Sequence, residues 1–370
     1  VPGDVAVADA DGVVTVVRWD RVLAEAAPLG FTPLAGSAPG VGVVGFLTGG
    51  GLGPLARTYG VSADRVSAFE LVTGDGVLRR TTAEDLPELF WALKGGKGAL
   101  GIVTAVEFDL VALPAFLGGA LLFDGAVADR VLHTWALWCE SLPLEATTSV
   151  AILRLPRMPG VPEPIAGRTT IAVRFAWTGD IGRGEEVIEP IRAAASVIFG
   201  AIGVLPPDAM GVIPADPVDP MPVSEHAVML SELPSEAVDA LLDVSGPVTA
   251  CPHLIVGVRR LCGAIAEGSS EDGSFCGRDI AFTCLAIGIA AGPLAGASAA
   301  SAAAIAAAMA PWDCGRRLPN FEPSTDPRHA LKVYDPDTLR RLDAVVADLD
   351  PCAVISASRP IRGARALLDA

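Results

Sequence analysis

The chain has 370 residues, 51% hydrophobic and 19% charged, enough apolar material for sizeable cores and too much for a disordered protein. Lys and Arg number 27 against 43 Asp and Glu, a formal net charge of −16, which excludes general affinity for nucleic acid and argues against binding an anionic membrane surface. Seven cysteines form no C-x-x-C pair and the histidines (His133, His226, His253, His329) show no H-E-x-x-H spacing, so neither a metal site nor a disulfide framework is expected.

In chain order, VVTVV at 13–17 reads as a strand and Trp19 to Ala27 as a helix closed by the loop around Gly30. The glycine-dense run 36–53 reads as loop, because glycine disfavours a helix interior. SAFELVTGDGVLRRTT predicts a hairpin turning at Gly74-Asp75-Gly76. DLPELFWALKG predicts a short helix capped by Asp85, and GIVTAVEFDL a half-buried strand.

A break at Leu113-Pro114 opens a second region. Helical spacing covers 127–141 (Val131, Trp135, Trp138), with further helices suggested at 184–197, 234–243 and 297–310. TTSVAILRL, TTIAVRFAW, HLIVGVRRL and DIAFTCLAIGI are strand candidates. Their irregular interleaving with helices suits an antiparallel sheet covered on one face by helices, an α+β class. Residues 280–312 carry no charge, but Pro293 divides them and the second half is Ala, Ser and Gly, so a buried strand and a packed helix are preferred to a membrane span. A helix from Tyr334 to Leu349, opened by Asp335-Pro336, and an extended AVISASRPI close the chain. No leader peptide is visible, which makes the cytoplasm the default location.

Gly40-Val41-Gly42-Val43-Val44-Gly45 matches G-x-G-x-x-G, with Asp64 near the spacing of a ribose-binding acid. That fingerprint carries meaning between a strand and a helix. Here it follows a Pro/Gly loop and runs into Phe46-Leu47-Thr48-Gly49-Gly50-Gly51, which reads as unable to hold a helix, so a nicotinamide dehydrogenase is disfavoured. Gly96-Lys97 is not a P-loop, since Gly98 replaces Ser or Thr and Trp91 replaces the first Gly. The glycine run could bring backbone close to a flat or anionic ligand, or could simply pack tight turns.

The stretch GSAPGVGVVGFLTGGGLGPLARTYGVSADRVSAFELVTGDG, with DLPELFWALKGGKGALGIVTAVEFDL, resembles the PCMH-type FAD-binding domain of the vanillyl-alcohol oxidase superfamily, in its bacterial berberine-bridge-enzyme-like branch. YDPDTLRRLDAVVADLDP…SASRPI resembles that branch's C-terminal segment. The resemblance implies a FAD-binding domain over 1–112, a substrate-binding α+β domain over 113–325 with an antiparallel sheet, and a segment 326–370 returning to the FAD domain. It places Ala38, Pro39, Val41, Gly42, Val43 and Gly45 along the flavin ring and ribityl chain, with Val43 near where the family gates oxygen. It places Gly49, Gly50 and Gly51 near the ribityl-pyrophosphate and Gly98 and Ile102 at the adenosine end. Asn320 and Ser358 would approach from the substrate side.

The implied chemistry is hydride transfer from an alcohol or amine carbon of a small or medium metabolite to flavin N5, with dioxygen as acceptor. No catalytic base is evident; Arg174, Arg259 and Glu225 are candidates to line a substrate pocket, and Tyr59 and Tyr334 read as structural. The family's R-S-G-G-H-S-like loop has no counterpart here, which leads us to expect that an N-terminal flavin subdomain precedes this sequence. FAD would then be non-covalent, or linked once through a histidine of that part. Gly36-Ser37-Ala38-Pro39 lacks the cysteine of a 6-S-cysteinyl link. Ala99-Leu100, Leu318 and the surroundings of Ser358 also depart from the family, so a flavin-free binding or scaffold protein is the alternative.

Overall fold

A computed structural model describes residues 17–213, 222–292 and 294–368; the strand expected at 13–17 therefore lies, apart from Val17, outside the described residues. The chain separates into two compact units. One comprises the residues up to Pro114 with Ala264–Arg278 and Arg316–Ala370, the other Ala115–Gly263 with Asp279–Gly315. The break at Pro114 falls just past the expected 112, while 264–278 and 316–325, expected with the middle segment, pack into the first unit.

The first unit opens with α1 (Trp19–Ala26), which buries Trp19, Val22, Leu23 and Ala26, an i, i+3, i+4, i+7 stripe. Gly30, at φ 78°, ends that segment, and β1 (Phe31–Thr32) follows. Next comes α2 (Val43–Thr48), a correction to the loop read across the glycine run. Buried Val43 and Leu47, one turn apart, anchor this helix against the unit's core, and packing outweighs the propensity of Gly45.

After α3 (Ala56–Tyr59), β2 (Val66–Thr73) and β3 (Leu78–Thr81) form the expected hairpin, with Gly76 at φ 80°. α4 (Pro87–Leu93) starts at Leu86 in the left-handed region, and Asp85 is not its cap. Thr81 Oγ1 donates to the carbonyls of Asp85 and Leu86, so a Thr side chain from β3 fixes that entry. β4 (Gly101–Phe108) completes an antiparallel β3-β2-β4 sheet, and β5 (Val111–Ala112) pairs with β1.

The second unit runs β6 (Phe116–Asp124), α5 (Ala128–Glu140), β7 (Ala146–Leu155), β8 (Arg168–Trp177), α6 (Ile181–Ala194) and β9 (Val197–Leu205). It continues with β10 (Val223–Leu230), α7 (Ser235–Ser245), β11 (Ile255–Arg260), β12 (Phe282–Ile289) and α8 (Leu294–Met309). Among the described residues its seven strands form one antiparallel sheet, β10-β12-β11-β7-β8-β6-β9, as the α+β expectation requires. One core joins inward residues of this sheet to α5, α6, α7 and α8, including Trp135, Phe175, Ile188, Leu241 and Ile305. The uncharged 280–312 segment is thus a strand followed by a helix that buries Ser298, Ala302, Ile305 and Met309.

The chain then re-enters the first unit through α9 (Pro327–Val333), α10 (Pro336–Leu349) and α11 (Arg359–Leu368). Asp335 caps α10, its carboxylate accepting from the Thr338 amide at 2.8 Å. α11 corrects the extended reading of AVISASRPI: Ile361 and Ala364, three apart, sit in the unit's core. Asp350, 1% exposed, accepts from the amides of Val354 (2.7 Å) and Ile355 (3.1 Å), folding the tail onto the Gly74 turn.

Candidate functional site

The expected cofactor turn begins as a bend and ends as a helix. Ala38 and Pro39 are half-buried, Val41 is exposed, Gly42 is the N-cap of α2, and Val43 is buried. Backbone bonds hold the turn to the start of α1: the Val43 amide donates to Val17 O at 2.9 Å, Trp19 to Val41 O at 3.1 Å and Asp20 to Pro39 O at 2.9 Å. These bonds leave the turn's shape fixed without any ligand.

The glycines divide into two groups. A Cβ on Gly49 would lie 1.9 Å from Asn320 Oδ1, one on Gly50 2.2 Å from the Phe275 ring, one on Gly51 2.6 Å from the Phe46 ring, and one on Gly53 1.9 Å from the Ala35 carbonyl. Gly50 and Gly51 also have φ of 95° and 81°. Packing and backbone conformation therefore account for these glycines, so much of the bend is closed by the protein itself. Gly40 and Gly45 differ: among the described residues nothing lies within 4 Å of a Cβ at either, both are exposed, and neither has a positive φ. Gly45 lies inside α2, where glycine costs about 0.5–1 kcal/mol relative to alanine.

Gly98 belongs with the open group. It is exposed in a turn after Lys97, and its Cβ would make only an ordinary 3.7 Å contact with Ala357. Lys97, at φ 56°, sends Nζ to the Pro319 carbonyl at 2.6 Å, and Asn320 Nδ2 donates to Phe46 O of α2 at 2.9 Å. The structure so brings Gly98, Asn320 and the α2 turn together. Ser358 stands beside Ala357, but it is wholly buried and its hydroxyl donates to Ile355 O at 2.7 Å, a structural bond. Ile102 is 68% exposed at the start of β4, paired with Val72.

Sequence reasoning missed Lys97, Phe46 and Phe275, which shape this region. Burial pushes the Lys97 ammonium below its ordinary pKa, with Glu322 opposing. Gly-Gly-Lys-Gly at 95–98 was the one signal available, and it points to a turn rather than to a half-buried cation. Tyr334 OH donates to Gly95 O at 2.9 Å, consistent with a structural role. Asp64 pairs with Arg278 at 2.7 and 2.9 Å, so the acid that completes the dinucleotide fingerprint is committed within the protein.

These residues can be tested against a nucleotide cofactor. The open backbone at Gly40, Gly45 and Gly98 fits a ligand that needs close approach, because no atom of the described residues fills the volume a Cβ would take. Comparison with known proteins agrees in kind. Residues 5–82 match the family described as FAD binding domain. The chain is 43% identical over 125 residues to the FAD-linked oxidoreductase phmC of Phaeosphaeria nodorum, covering 32% of this chain and 28% of that protein. It is 30% identical over 191 residues to (R)-6-hydroxynicotine oxidase of Paenarthrobacter nicotinovorans, 51% of this chain and 40% of that one. The matches thus span less than half the length of these curated relatives. Among solved structures, 6-hydroxy-D-nicotine oxidase from Arthrobacter nicotinovorans shares the fold, with a TM-score of 0.77 at 22% identity over 93% of this chain and 76% of that one.

Proposed function

We propose, for a chain that belongs to the FAD-binding, berberine-bridge-enzyme-like superfamily, that it serves as an FAD-dependent oxidoreductase acting on a small or medium alcohol or amine. One observation carries the proposal in this chain: Gly45 is an exposed glycine inside a helix, and among the described residues neither packing nor φ accounts for its presence. A ligand lying on α2 supplies the missing reason.

The residues proposed to hold the cofactor are Ala38, Pro39, Val41, Gly42, Val43 and Gly45, with Gly98 as a second contact. Val43 forms the buried underside of the turn, and Val41 and Gly45 present its outer side. Asn320, tied to Phe46 O, holds the neighbouring 319–321 turn against α2. Lys97 holds the 97–100 turn against Pro319 and adds a cation beside Gly98. When bound, the flavin would accept hydride from a carbon bearing OH or NH, with dioxygen as the final acceptor.

Binding to this chain is proposed to be non-covalent; the 36–39 turn offers no thiol for a 6-S-cysteinyl bond. The test is the visible absorption of the purified chain, followed by acid precipitation. Flavin bands that move to the supernatant support non-covalent binding, and bands that stay in the pellet overturn that assignment. A colourless chain that takes up no added FAD contradicts the proposal and favours a flavin-free binding protein.

A further inference from the structure

Among the described residues the three- and seven-stranded sheets present four edge strands: β3 and β4 in the first unit, β10 and β9 in the second. An edge strand leaves main-chain N–H and C=O groups unpaired along one side, and charged side chains on it deter pairing with another chain. Three of the four edges carry such charges: Arg79 and Arg80 on β3, Glu107 on β4 and Glu225 on β10. The end of β10 is also occupied, by a bridge from Leu230 to Asp313. β9, VIFGAIGVL, has no polar side chain at any of its nine positions.

β9 is exposed as well as apolar. Among the described residues it pairs with β6 alone, and from Gly200 to Leu205 that pairing keeps one register. This stretch is therefore regular sheet with an outer side that no described residue pairs. Val204 is 58% exposed, and Val197, Phe199, Gly200 and Ala201 are exposed with it. Ile202 is held in the helix-side core, so Ala201 points to the opposite face. A net charge of −16 keeps copies of the chain apart by repulsion, and an uncharged edge is where that repulsion is weakest.

We infer that two copies of this chain pair through β9, antiparallel and about a two-fold axis, joining their seven-stranded sheets edge to edge. In such a pairing the strand meets itself, so a charge near the axis faces its like. β9 meets that demand by carrying no charge, whereas β3, with adjacent arginines, does not. With the axis at Ala201 or Ile202, every β9 position faces an apolar residue or a glycine of the copy, and the outward main-chain groups of both strands find partners. Pro206 and Pro207, which lack N–H groups, follow the strand and set the length of the pairing.

The mass of the full chain is measured by light scattering on a sizing column from about 1 to 100 µM. A dimer is expected in the upper part of that range. Ala201→Lys puts two like charges beside the axis, and Val204→Lys sets a charge against Ile198 or Gly200 of the copy. Each should weaken association about tenfold or more. Mixing A201K with A201E should restore a dimer, which mere damage to the strand would not do. A monomer throughout the range, a dimer unchanged in both lysine variants, or a mixture that stays monomeric overturns the inference. Should the variants fail to fold, hydrogen exchange of the parent chain decides. Protection over 197–205 that falls on dilution supports the pairing, and protection independent of concentration overturns it.

Discussion

Asn320 fills the volume that a side chain on Gly49 would need, and its Nδ2 donates to the carbonyl of Phe46 at 2.9 Å. One amide thus holds the end of α2 while it forbids a Cβ in the adjoining turn. Gly49→Ala is expected to cost about 1–3 kcal/mol through overpacking. Asn320→Ala costs about 1 kcal/mol for the lost hydrogen bond. In the double variant the alanine at 49 enters vacated space, so the two costs sum to more than the measured total. A urea-denaturation cycle that finds strict additivity would show that Asn320 moves aside at little cost.

The Arg278–Asp64 pair, at 2.7 Å with side chains 10% and 26% exposed, ties the 264–278 segment to the first unit. Arg278 also donates to Ile265 O at 3.2 Å and lies over the Phe275 ring. Asp64→Asn removes the countercharge but keeps the shape. Because the pair is partly exposed, the expected loss is about 1–3 kcal/mol, below that of a fully buried pair. Proteolysis within 264–278 should accelerate in that variant. An unchanged cleavage rate and unfolding midpoint would mean that the neighbouring contacts alone hold the segment.

Cys276 carries a pH signature. Burial is the main cause that pushes its thiol up from 9.0 to about 11, while its Sγ donates to Asp335 Oδ2 at 3.2 Å. Between pH 9 and about 11 the unfolded chain has lost this proton and the folded chain has kept it, so stability falls as pH rises through that window. Cys276→Ser keeps a donor to Asp335 without an ionisable thiol in this range. Its alkaline loss of stability should be smaller than that of the parent chain. Parallel curves for the two proteins from pH 8 to 11 would place the ionisation elsewhere.

Much of the fold was legible where local chemistry and tertiary packing agree. The hairpin followed from Gly74-Asp75-Gly76, the final long helix from Asp335-Pro336, and the central strands from apolar runs such as TTIAVRFAW. β6 and β9 passed unread because FLGGALLFD and VIFGAIGVL interrupt apolar residues with glycines that weaken any strand signal. Gly119 and Gly200 need φ of 141° and 83° and lie against opposing backbone, which composition does not reveal. The α2 turn was misread for the opposite reason, since glycine propensity argued for loop while Val43 and Leu47 supplied the anchoring. Site residues were named through resemblance. The division of their glycines into packed (Gly49, Gly50, Gly51) and open (Gly45, Gly98) needed coordinates, because it depends on Asn320 and Phe275, far along the chain.

Gly45 provides the most direct test of flavin binding on α2. Replacing it with leucine adds a better helix former into open space, so thermal stability should hold or rise. FAD is titrated into both proteins while quenching of flavin fluorescence is followed. Saturable uptake by the parent chain, at least tenfold weaker in Gly45→Leu despite its intact fold, is the predicted result. No uptake by the parent, or equal uptake by both, would contradict a cofactor seated on this turn.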